Sequence, residues 1–331
     1  MKQTTAGIHH VTAIASDPQR NVDFYAGVLG LRLVKITINY DDPGSYHLYY
    51  GDESGSPGSI MTFFAWPGAR RGRRGAAQTT AASFAVPVGA VHYWRERLQA
   101  QGVQIKTIQR AEAGGDHGIE FEDPDGLLLR IVESPGAAHH PDWSGADIPQ
   151  EAAIRRLHGV TFTVREAAPT ALTLTRELGM NLVSADANVS RYSPAGSDGE
   201  TIVQVVESQE PYGAIAVGNI HHVAFRAPDA QAQLKWQTRL QNEGYGVSPV
   251  MDRQYFESIY FREPGGILFE IATDGPGFTV DEPLEALGTR LRLPEWLEPR
   301  RAEIERVLPP IRTAVLNRAS IERKQPHSLP Y

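Results

Sequence analysis

The chain has 331 residues, 41% hydrophobic and 21% charged, which is enough to bury a substantial core and long enough for two domains. Its net charge of −7 offers no basic face for nucleic acid or an anionic membrane surface. With no cysteine, disulfides, thiolate metal sites and cysteine nucleophiles are excluded, so any metal must sit on His, Asp or Glu.

The N-terminus "MKQTTAGIHH" lacks an apolar signal core, and no stretch approaches the roughly 18 apolar residues of a membrane span, so a cytoplasmic protein is expected. The first predicted strand, "GIHHVTAI" (7–14), is followed by the helix "NVDFYAGVLG", which places Val22, Tyr25, Val28 and Leu29 on one face and ends at Gly30. The same grammar of strand, helix and Gly-rich turn into an apolar strand recurs three more times. Its helices are "AVHYWRERLQAQG", "ALTLTRELG" and "AQLKWQTRLQNEG"; its turns are "EDPDG", "GSDGE" and "EPGG". The fold class is therefore α+β, with four βαβββ modules at 7–66, 80–133, 157–207 and 220–274. Arginines in "ARRGRRG" (69–75) are predicted to form a solvated loop, since no aromatic residues interleave. The Pro, Gly, Ala and Ser-rich stretch 136–153 marks the domain boundary. Modules are thus expected to pair consecutively, in an N-terminal domain (1–135) and a C-terminal domain (154–275). The tail, 276–331, carries Leu293, Trp296, Ile304, Val307 and Leu308, enough apolar surface to dock on its own domain or on a second subunit of a homo-oligomer.

The first strand of module four, "GNIHHVAF" (218–225), repeats the HHV of module one. Together with "MDRQYFESIYFREPGGILFEIATDGPGF", these motifs resemble the vicinal oxygen chelate superfamily, and within it the ring-cleaving dioxygenases acting on hydroquinones and chlorohydroquinones. The resemblance covers residues 7–274 and implies paired modules, each curling into half of an open barrel, with iron(II) as cofactor. In such modules ligands come from the first and last strands. The first-strand slots hold His10, a residue near Ser83, Gly159 and His222; the last-strand slots hold Phe63, Arg130, Gln204 and Glu270. Only modules one and four present ligand chemistry, and His10, His222 and Glu270 form the two-imidazole, one-carboxylate set of non-heme iron oxygenases. A glutamate inside "ILFEIA" is costly to bury unless paired or metal-bound.

Strand alternation lets only one histidine of each pair face a cavity and does not choose between them. The resemblance assigns His10 and His222 as ligands, and His9 and His221 as groups assisting with charge and protons. It also singles out Tyr260 and Arg253 as substrate contacts. If the hairpin loop is Pro264–Gly266, Tyr260 stands opposite Glu270. The expected activity is ring cleavage of an aromatic diol with dioxygen, without nucleic acid or membrane partners. Two rivals share the fold: a metal-free small-molecule binding protein, and a divalent-metal isomerase, which Phe63 in place of a second carboxylate disfavours.

Overall fold

The computed structural model describes residues 3–108, 117–141, 143, 145, 147–197 and 200–313; residues 314–331 of the tail lie outside them. Module one supplies β1 (Ile8–Ala15), β2 (Arg32–Asn39), β3 (Asp42–Gly51) and β4 (Ile60–Ala65); module two β5 (Gln78–Val86), β6 (Ile105–Ile108), β7 (Gly118–Glu122) and β8 (Leu128–Glu133). Module three supplies β9 (Arg156–Val164), β10 (Met180–Asp186), β11 (Val189–Pro194) and β12 (Ile202–Glu207); module four β13 (Ile220–Ala227), β14 (Met251–Asp252), β15 (Phe256–Arg262) and β16 (Leu268–Pro276). One helix follows the first strand of each module: α1 (Pro18–Val22), α2 (Val91–Ala100), α3 (Ala167–Leu172) and α4 (Ala230–Asn242).

Local chemistry explains the helices. Asp17 caps α1 by accepting from the Arg20 amide at 2.8 Å, and Asp229 caps α4 through the Ala232 amide at 2.7 Å. Both α1 and α3 start before the apolar face that the sequence suggested, and each closes in a π-helical turn, Asp23–Val28 and Thr173–Glu177. Buried Gln233, Trp236 and Leu240 give α4 its inward stripe.

The strands form two eight-stranded sheets, ordered β14-β15-β16-β13-β1-β4-β3-β2 and β10-β11-β12-β9-β5-β8-β7-β6. Consecutive pairing of modules is therefore corrected: module one shares a sheet with module four, and module two with module three. The physical reason lies in β1, whose eight residues are all buried and which cannot serve as an edge. It has β4 in parallel on one side and β13 antiparallel on the other. Stretch 136–153 consequently joins two modules of one sheet instead of separating two domains. The connectors that do cross between sheets run together: Arg71 bridges Val217, Arg73 bridges Ala214 and Ala76 bridges Tyr212. The loop 69–75 has exposed arginines, as expected, but a paired backbone. Gly75 permits that approach, since a Cβ there would lie 2.3 Å from the Pro211 carbonyl oxygen.

The tail docks on module one of its own chain. Lys35, fully buried on β2, donates to Asp281 at 2.6 Å and Glu282 at 2.5 Å, and Phe278 packs against Tyr49 at 5.1 Å between ring centroids. Ile304, on the last described helix α5 (Arg301–Val307), and Leu308 are buried, whereas Trp296 rests on Tyr40 with half its surface exposed. No helix among the described residues is long and apolar enough to cross a membrane.

Candidate metal centre

Antiparallel pairing of β1 and β13 at the middle of the first sheet brings the two HHV motifs together, and β16, parallel to β13, sets Glu270 opposite Ala224. The Nε2 atoms of His10 and His222 lie 3.2 and 2.8 Å from Glu270 Oε2. One ligand atom from each of the three residues lies within 4.8 Å of the others, and all three side chains are buried. Among the described residues this is the one group of three or more such side chains so placed.

Alternation along the strand would send neighbouring histidines to opposite faces, yet His9 Nδ1 meets His10 Nδ1 at 2.9 Å and His221 Nδ1 meets His222 Nδ1 at 2.7 Å. Register shifts explain this: the β1–β13 ladder skips His9 between Ile8 and His10, and skips His221 between Ala13 and Thr12. Each shift is a β-bulge that turns the extra histidine toward its neighbour. With Nδ1 of His10 and His222 engaged, Nε2 is left to point at Glu270. For Nε2 to offer a lone pair, each ring must carry its proton on Nδ1 and donate it to the preceding histidine.

The electrostatics favour a cation at this point. Burial alone would raise the Glu270 carboxyl, but His10 and His222 outweigh it and hold it well below the usual carboxylate range. Burial keeps His222 lowered, lowers His9 strongly with help from His10, and pushes His221 down to about 3, so these rings are neutral. Among the described residues, no donor meets Glu270 Oε2 with hydrogen-bonding angles, although the two imidazole nitrogens lie within reach. A buried carboxylate oxygen faced by two imidazole nitrogens is suited to a divalent metal, which bound by all three residues would supply the counter-charge.

The triad opens onto a cavity of about 320 Å³ whose wall includes His10, His221, His222, Arg253 and Tyr260. Tyr260 stands opposite Glu270 across the β15–β16 hairpin, in the register read from the sequence. Its phenol accepts from Arg253 Nε at 3.2 Å, and Arg253 also pairs with Asp41 at 3.2 Å. Burial raises the Tyr260 phenol, Glu270 adds to this, and Arg253 opposes it. His9 is not brought to the cavity: it lies behind His10, against Phe256 at 5.0 Å between ring centroids.

The last-strand slot of module one needs correction. Ala224 pairs with Glu270 and Thr12 pairs with Thr62, so Thr62 occupies the position related to Glu270. Phe63 faces the other side of the sheet, in the core, 4.4 Å from Tyr25 between ring centroids. Thr62 Oγ1 lies 2.7 Å from His47 Nε2 and 3.0 Å from Thr12 Oγ1, while Tyr49 OH meets His47 Nδ1 at 2.9 Å. Ser258 donates its hydroxyl to Glu270 Oε1 in the matching place. Sequence reading missed His47, Tyr49, Thr62, Ser258, Phe256 and Asp41. Period-two spacing of His47 and Tyr49 in "SYHLYY" was the available signal for one wall.

Known proteins resemble the chain at this level of organisation. "Putative ring-cleaving dioxygenase MhqO" of Bacillus subtilis (strain 168) is 45% identical over 318 residues, covering 96% of this chain and 100% of that one. "Chlorohydroquinone/hydroquinone 1,2-dioxygenase" of Sphingobium indicum is 34% identical over 319 residues, covering 93% of this chain and 97% of that one. A crystal structure described as a putative dioxygenase from Bacillus subtilis superposes with a TM-score of 0.88 at 45% identity, covering 94% of this chain and 98% of that chain. The family model described as Glyoxalase/Bleomycin resistance protein/Dioxygenase superfamily matches residues 7–131 and 156–271. Two sheets of paired βαβββ modules, and a match through all four modules, show that the chain belongs to this superfamily.

Proposed function

We propose that the chain is an iron(II)-dependent dioxygenase that opens the ring of a hydroquinone-type substrate, with His10, His222 and Glu270 holding the metal. The observation that carries this reading is the convergence of the Nε2 atoms of His10 and His222 on the buried Glu270 carboxylate, three ligand atoms within 4.8 Å of one another. Relatives named as ring-cleaving dioxygenases support the reaction class. Three protein donors leave coordination positions open, and iron(II) there would bind the substrate oxygen and activate dioxygen. The reaction breaks the bond between the hydroxyl-bearing carbon and its neighbour; each carbon takes one oxygen atom, the first ending as a carboxylic acid and the second as an aldehyde.

The chain's own groups would orient and protect the ring. Phe64, Trp66, Phe256 and Leu268 give the cavity apolar faces that suit an aromatic ring and exclude water. Tyr260 would hold a substrate hydroxyl through its phenol, steadied by Arg253. Neutral His221, at the cavity wall, accepts at Nδ1 from His222 and would present its Nε2–H to the bound substrate, and His9 would fix the tautomer of His10 from behind. Iron analysis and oxygen uptake with hydroquinones test the assignment. His222→Ala and Glu270→Ala are expected to lose iron and activity together; retention of a full iron complement would overturn it, as would an iron-loaded wild type that consumes no oxygen.

A further inference from the structure

The second sheet repeats the cradle of the first with different chemistry. Ser83 pairs with Arg130 and Thr161 with Gln204, as Thr12 pairs with Thr62 and Ala224 with Glu270. Arg130 and Gln204 therefore stand where the first sheet has Thr62 and Glu270, and Gly159 stands where it has His222. A Cβ at Gly159 would lie 1.9 Å from the Ile202 carbonyl oxygen, so no imidazole can enter there.

In place of a metal triad this cradle holds a polar cavity of about 110 Å³, lined among others by Lys106, Glu120, Arg130, His158, Arg191 and Gln204. Among the described residues that line it, Lys106, Arg130 and Arg191 are cationic and Glu120 is the carboxylate, in a chain whose net charge is −7. The guanidiniums are held in place: Arg130 Nε donates to Glu120 at 2.9 Å and its Nη1 to Thr161 Oγ1 at 2.8 Å, while Arg191 Nη2 donates to Gln204 at 2.9 Å. Arg130 Nη2 takes part in neither of its two bonds. Pre-positioned guanidiniums beside a lysine are suited to oxyanions, because their N–H groups meet two oxygens at once.

We infer that this second cradle binds a small oxyanion, of carboxylate or inorganic phosphate chemistry, at the position related by the internal repeat to the metal centre. The acid released by ring opening belongs to this class; that link rests on the proposed function, whereas the binding does not. Isothermal titration of the full-length protein at low salt with maleate, and separately with inorganic phosphate, tests it and shows which source is preferred. Two variants locate the site. Lys106→Gln removes an exposed cation and is expected to weaken binding about fivefold; Glu120→Gln removes the competing carboxylate and is expected to tighten it by a similar factor. Oxygen uptake and melting temperature should stay as in wild type in both. Absence of saturable binding for either anion, or unchanged affinity in both variants, would overturn the inference.

Discussion

Glu270 receives the Ser258 hydroxyl on Oε1 while its Oε2 faces the two imidazoles, so Ser258 sets which oxygen is presented. Ser258→Ala should keep the fold but lower metal affinity about tenfold, the usual cost of losing a hydrogen bond that orients a ligand; competition with a chelator measures it. Tyr260→Phe keeps the packing against His222 and removes the phenolic hydroxyl to which the proposed function gives a substrate hydrogen bond. Catechols present two adjacent oxygens that can fix their own orientation, whereas hydroquinones depend on protein groups. With matched iron content, kcat on hydroquinone should fall about tenfold with little change in KM, and less on catechol. Equal losses would remove the orienting role. That the HHV motifs and Glu270 would meet was legible from a repeated motif and an anomalous buried charge, while the choice of His10 and His222 over their neighbours came from the resemblance. His47, Ser258 and Asp41 were not, because ordinary polar residues acquire their roles only through cross-strand pairing and a loop that folds over the cavity.

Hairpin register and Gly-rich turns were readable at the level of elements, since loop chemistry fixes which residues of β15 and β16 face each other. The bulges at His9 and His221 were not, because a bulge exists only relative to the partner strand. The acidic turns carry a further function. Asp123 accepts the amides of Asp125 and Leu127 and the Tyr25 hydroxyl of module one, and Glu263 likewise accepts two amides and the Thr170 hydroxyl of module three. Each acid thus ties a helix of one sheet to a turn of the other. Burial pushes the Asp123 carboxyl up to about 6. A raised carboxyl binds its proton more tightly in the native state than in the unfolded one, so stability falls as pH rises from its ordinary value of 3.8 toward 6. Asp123→Asn should therefore gain on wild type by up to about 3 kcal/mol between pH 4 and pH 8, read from urea unfolding at each pH. A difference independent of pH would contradict this origin.

Across the whole molecule, the repeat and the linker pointed to consecutive pairing, whereas the ligand slots of modules one and four pointed to the first strand lying beside the last module; the sheet order agrees with the second, with β1 between β4 and β13. The triad consequently draws on both ends of the chain. A fragment of residues 154–331 should bind no iron alone, and co-expression with residues 1–153 should restore binding; an iron-binding, active fragment would refute the shared sheet as the source of the site. The nested pairing also dictates an order of synthesis and assembly. All strands of the second sheet emerge between Gln78 and Glu207, while β1 must wait for β13 to be made. Long-range pairing is slow, and an apolar strand without its partner invites aggregation. Released chains truncated between Glu207 and Ile220 should resist protease at the strands of the second sheet and be cut within residues 8–65, which makes the N-terminal module the segment in need of chaperone protection until β13 is made.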